Sequence, residues 1–192
     1  MEAPRRIDGR FVGLAAASGA AGGAVMALWM MIYYAAIGDG FWTPLNVCMA
    51  SFVYRSDAQM LMHDMMMHPG MMSMNEPVVA SHLAVGFLLH MTFSIVVGVS
   101  FGLILFAATR LLRLPLLATR IGYTGAAVIG ALILYALMMY VILPVANPLI
   151  VDMTPRGPFI AGHALYGLTF GLVAFALLRP SITAPRLRQA AA

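Results

Sequence analysis

Charge is what this chain has least of: charged residues make up 9% of its 192 residues, against an apolar share of 62%. Ordinary globular domains carry about 25% charged residues, so too few are present to clothe a surface that faces water. Lysine is absent, and all eleven basic residues are arginine. They fall in short clusters between apolar stretches, so the net charge of +4 is not the basic patch that a nucleic-acid partner needs. A single cysteine, Cys48, excludes an internal disulfide framework. No Walker-type loop, dinucleotide fingerprint, HExxH, CxxC or GxSxG occurs. No Asp, Glu, Lys or Arg lies well inside an apolar run, which leaves a proton or ion relay without a carrier. These absences argue against an enzyme, a pump and a coupled transporter.

What is present is length without charge. Four segments meet the requirement of about 20 residues for crossing a bilayer: 11–37, 78–108, 121–145 and 159–178. The first is too long for the apolar core of a cleaved signal peptide and reads as an uncleaved anchor. The second exceeds what a bilayer needs, so it should tilt or protrude, most naturally at its outer end. The fold class expected is all-α: a polytopic membrane protein, one membrane domain over 1–192, built as a bundle of four transmembrane helices.

Arginine placement sets the orientation. Nine arginines (5, 6, 10, 110, 113, 120, 179, 186 and 188) flank one end of the four segments. The other two loops hold only Arg55 and Arg156, with five of the seven acids. Positive residues stay on the cytoplasmic side, so both termini are expected there, in the inner membrane of a bacterium. Trp42 and Tyr54 then fall near the outer interface and Tyr123 near the inner one, where amphipathic rings settle.

The halves resemble each other. Span one ends in Phe41-Trp42-Thr43-Pro44-Leu45-Asn46 and span three ends in Val145-Ala146-Asn147-Pro148-Leu149-Ile150. The second segment carries His90, Ser94, Gly98 and Gly102; the fourth carries His163, Gly167 and Gly171. Four-residue spacing puts each set on one helix face, and aligning His90 with His163 superimposes the small residues. The pattern suits two parallel two-helix repeats about an axis along the membrane normal. Small residues so spaced let helix backbones approach closely, which drives association in lipid. Gly19 and Gly23, with Gly122, Ala126 and Gly130, offer further seams.

A histidine inside a bilayer is a functional hypothesis by default. His90 stands twenty residues from Arg110 and His163 sixteen from Arg179, or ~30 Å and ~24 Å at 1.5 Å per residue. The two therefore share a depth near the outer edge of the hydrocarbon, with His82 two turns further out. Such a pair fits axial ligation of haem b, copper binding, or a hydrogen bond to a quinone. The plain alternative is that each ring bonds a backbone carbonyl or a tyrosine hydroxyl such as Tyr140 or Tyr166.

The sharpest anomaly lies in the outer loop, 46–77. Eight methionines (Met60, Met62, Met65, Met66, Met67, Met71, Met72 and Met74) and two histidines (His63 and His68) occur within fifteen residues. Leu45 to His90 spans 31 positions more than Leu149 to His163, so on the repeat reading this segment is an insertion. Thioether sulfur suits Cu(I), imidazole serves either copper state, and Asp64 adds a harder ligand. The segment is similar to Met-rich stretches of periplasmic copper-handling proteins. Methionine is equally suited to adaptable apolar contact, so a helix over 57–67 lying on the membrane, or docking on another subunit or a second copy of this chain, is the competing reading.

The Thr43-Pro44-Leu45-Asn46 run, the later Pro144…Asn147-Pro148-Leu149 and His163-Ala164-Leu165-Tyr166-Gly167-Leu168 together resemble a loose group of uncharacterised bacterial four-span membrane proteins. The likeness covers most of the chain outside the methionine-rich loop. It implies the four-span topology and no activity. The expectation from the residues is a non-enzymatic accessory subunit whose outer loop handles copper; the alternatives are a haem b electron-transfer anchor using His90 and His163, and a purely structural subunit.

Overall fold

The computed structural model describes residues 7–52, 80–111, 114–146 and 148–183. Among these residues every regular element is helical. Helix α1 covers Gly9–Ala36, α2 Thr43–Phe52, α3 Ala80–Leu111, α4 Arg120–Leu137, α5 Leu143–Ala146, α6 Pro148–Met153 and α7 Arg156–Thr183, with a 3-10 turn at Pro115–Ala118 and a π turn at Met138–Ile142. Four continuous helical runs are long and apolar enough to cross a membrane: Gly9–Ala36, Ala80–Thr109, Arg120–Ala146 and Arg156–Leu178. The chain is thus an all-α, multi-pass membrane protein with the four expected spans.

Local chemistry sets the element ends. Asp8 accepts a hydrogen bond from the Phe11 N–H at 2.8 Å and caps α1, satisfying one of the donors every helix start leaves open. Gly38 and Gly40 take φ of +90° and +91°, a region nearly closed to other residues, and turn the chain from α1 into α2. Pro44 and Pro148 then sit in the first turns of α2 and α6, where a missing N–H costs nothing. The proline motifs of the two halves therefore start short helices rather than end long ones. The stretch 46–52, read from sequence as loop, belongs to α2. The rest of that loop, 53–77, with every one of its methionine and histidine candidates, lies outside the described residues.

Two spans run further than hydropathy marks. Helix α3 continues to Leu111 and α7 to Thr183, because a helix needs only backbone bonds and its ends can carry arginines into the headgroup zone. In the third span, Pro144 brings no N–H and its ring collides with the carbonyl four residues back. The helix widens there: the Leu143 N–H bonds the Met138 carbonyl, five residues away. Widening keeps Met139 and Leu143 on the buried face with Tyr135 and Ile150.

The chain divides into two compact units, each holding a segment of all four long helices. One comprises the described residues of Met1–Gly23, Phe93–Leu132 and Ala164–Ala192. Within it α1 runs antiparallel to α3, and α4 to α7. A Cβ on Gly19 would stand 2.7 Å from the Gly98 Cα, and one on Gly102 2.7 Å from the Ala15 Cβ. A Cβ on Gly167 would stand 2.7 Å from the Ala127 carbonyl oxygen, and one on Gly171 2.8 Å from the Thr124 Cα. The positions that the His90–His163 alignment superimposes, 94 with 167 and 98 with 171, thus seal the two helix pairs. Tyr166 joins the pairs: its hydroxyl donates to the Ser94 carbonyl at 2.8 Å, and its ring lies against Gly22 and near Phe101. Tyr123 is 1% exposed and packs near Phe175, because it falls on the same face of α4 as Ala127 and Ala131.

Candidate functional site

The second unit, Ala24–Thr92 with Ile133–His163, contains both sequence-predicted histidines. Its core gathers Tyr135, Met139, Leu143 and Ile150, with Val47, Met138, Val151 and Phe159 packed against them. Helices α2 and α6, which the matched proline motifs start, supply Val47 and Ile150 to this one cluster.

His163 is 3% exposed. Its Nδ1 lies 2.9 Å from the Phe159 carbonyl oxygen, one turn back on α7. A carbonyl only accepts, so Nδ1 carries the proton, and in the neutral ring Nε2 then holds the lone pair. Phe159 meets the imidazole edge to face at 4.4 Å between centroids, and Tyr135 approaches at 5.7 Å. Tyr135 in turn lies near Phe159 at 5.7 Å. The hydroxyl of Tyr135 pairs with that of Tyr140, and the Arg156 guanidinium lies within electrostatic reach of it. Of the two partners expected for a plainly satisfied histidine, the carbonyl is the one His163 uses; the Tyr166 hydroxyl goes to Ser94 instead.

His90 is half-buried and stands within electrostatic reach of His163. It is one turn before Ser94 on α3, and His163 is one turn before Tyr166 on α7. His82, further along α3, is also half-buried.

Sequence reasoning missed the α1 residues that pack against α7 at Pro158 and Gly162. Trp29 donates its indole N–H to the Pro158 carbonyl at 2.9 Å. The Met26 Cγ, Trp29 Cδ1 and Met30 Sδ lie 3.3, 3.4 and 3.7 Å from where a Cβ on Gly162 would stand. The spacing of 26, 29 and 30 puts these side chains on one face, and a glycine opposite makes room for them. That pattern was visible, but the partner across the bundle was not.

Among the described residues no three His, Cys, Asp or Glu side chains converge on a metal-sized site. Cys48, on α2, is half-buried, and burial pushes its thiol up to about 11. The thiol is neutral below that value, so little thiolate exists at ordinary pH. Its alkylation by iodoacetamide near pH 8 is expected to be roughly a hundredfold slower than in the unfolded chain and to climb about tenfold per pH unit towards 11. Equal rates before and after unfolding would contradict this.

Compared with family models, curated proteins and solved structures, the chain matches none.

Proposed function

We propose that this chain is a non-enzymatic accessory subunit of a bacterial inner membrane, with both termini in the cytoplasm, whose methionine- and histidine-rich outer loop captures copper. The observation that carries the reading is the composition of 60–74, eight methionines and two histidines. Soft thioethers with borderline imidazoles select Cu(I). The described structure supports the reading in one respect: α2 and the part of α3 up to Thr92, which bracket this loop in sequence, belong to the unit that contains His163 and His90. The chain thus enters and leaves this loop from the histidine-bearing unit. On the arginine pattern the loop faces outward, away from the cytosolic thiol pool that would compete for copper.

The test is copper analysis of protein purified in mild detergent, wild type against a chain in which the eight loop methionines become leucine and His63 and His68 become glutamine. Wild type should bind more Cu(I) than the altered chain by at least one equivalent. Equal copper in both overturns the loop reading, and a stable metal-free complex with another subunit would favour a docking role for the methionines.

Haem b held by His90 and His163 is the second reading. The proton on Nδ1 of His163 favours it, since an imidazole anchored this way presents Nε2 to iron. It ranks below copper because Phe159 and Tyr135 already pack against the ring, and a macrocycle would have to displace them. A Soret band in the purified protein would reverse that ranking.

A further inference from the structure

The turn that leads from α3 into α4 is locked by its own hydrogen bonds. The Thr119 hydroxyl donates to the Leu116 carbonyl at 2.7 Å and accepts from the Gly122 N–H at 3.1 Å. The Thr119 N–H bonds the same carbonyl at 3.0 Å, and a Cβ on Gly122 would fall on it. So fixed, the turn sends Leu117 inward, 8% exposed, and leaves Leu116 66% exposed. Ile121, at the start of α4, is 85% exposed. Ile121, Gly125 and Ile129 follow one another at four-residue spacing on one face of α4, and all three are exposed. The row rises ~12 Å over its eight residues, most of the ~15 Å of hydrocarbon in one leaflet.

Gly125 has no packing reason within the chain, since a Cβ there meets nothing within 4 Å, and glycine is a poor helix former. It leaves a notch between two isoleucines. A second helix is badly suited to fill it, because close backbone approach needs small residues at the neighbouring positions of the row. A flexible chain of methylenes needs no such clearance. Charge completes the surface. Arg120 is exposed at the head of the row, Arg110 and Arg113 flank the same connection in sequence, and no acid occurs between Glu76 and Asp152. Asp8, at this end of the bundle, is engaged in capping α1. A guanidinium presents a fork of donors that matches a phosphate, and an excess of arginine favours a headgroup with net negative charge.

We infer that the α3–α4 turn and the outward row of α4 bind an anionic phospholipid, its phosphate at Arg120 and one acyl chain along Ile121, Gly125 and Ile129. The surface is independent of the copper reading.

The experiment titrates full-length protein in mild detergent with phosphatidylglycerol, or with phosphatidylcholine of the same acyl chains, and reads bound lipid by native mass spectrometry. Wild type should bind phosphatidylglycerol at least about fivefold more tightly than phosphatidylcholine. Arg120→Gln should cost about fivefold for phosphatidylglycerol and less than about twofold for phosphatidylcholine. Arg186→Gln, which removes one charge from the tail, should leave both affinities unchanged. Gly125→Leu fills the notch and should weaken both lipids about fourfold, the loss of roughly one methylene's burial. Its melting temperature should be unchanged or higher, because leucine is the better helix former. Equal losses in Arg120→Gln and Arg186→Gln would mean diffuse attraction and overturn the site. So would wild-type lipid binding by Gly125→Leu. A wild-type dimer that Gly125→Leu converts to monomer would assign the notch to a second copy of the chain and overturn the lipid.

Discussion

Replacing Gly98 with leucine is expected to leave little folded protein. The seam between α1 and α3 brings the Gly98 backbone against the Gly19 backbone and the Ala15 carbonyl, so a side chain there meets main chain, which cannot swing aside. Overpacking against movable side chains costs about 1–3 kcal/mol, and against backbone the upper end of that range is the floor. For a chain of this size that corresponds to a fall in melting temperature of roughly 6–12 °C or more, read by tryptophan fluorescence and size-exclusion in detergent. Gly13→Ala is the matched control: a Cβ there meets nothing within 4 Å, and alanine is the better helix former by about 1 kcal/mol. If Gly98→Leu melts like the control, the close approach of α1 and α3 is wrong.

The second large effect is expected at Tyr166. This ring is 3% exposed, lies against Gly22, stacks near Phe170, and its hydroxyl bonds the Ser94 carbonyl. Tyr166→Ala leaves a cavity that three helices border and should cost about 3–5 kcal/mol. Tyr166→Phe removes only the hydrogen bond between helices, worth about 0.6 kcal/mol in membrane bundles. The two variants should therefore differ severalfold in their loss of stability by denaturant titration. Equal losses would mean that the hydroxyl, not the ring, ties α7 to α3.

The four spans were legible because lipid imposes one constraint that composition alone meets: about 20 apolar residues in a row. The glycine seams were legible too, since four-residue spacing survives in the sequence whatever lies opposite. What escaped was anything set by a partner from another helix. Nothing near Tyr123 in the chain says that Phe175 will cover it. The same holds for Trp29, whose N–H finds a carbonyl 129 residues away. The proline motifs misled for a local reason. Proline ends a helix when it is met inside one and begins a helix when it follows a turn, and only the glycines at 38 and 40 mark Pro44 as the second kind. At the candidate site, counting from the arginines said nothing of the aromatic rings around His163 or the methionine beside Gly162.

The hydrogen bond from His163 to Phe159 begins and ends on the same helix. The imidazole is therefore fastened to α7 alone, and a slide or rotation of that helix would carry ring, proton and lone pair with it as a rigid body. Its Nε2 is in effect a pointer mounted on α7. A nitrogen-15 label in that ring would report the movement of the helix without any reagent having to enter the membrane.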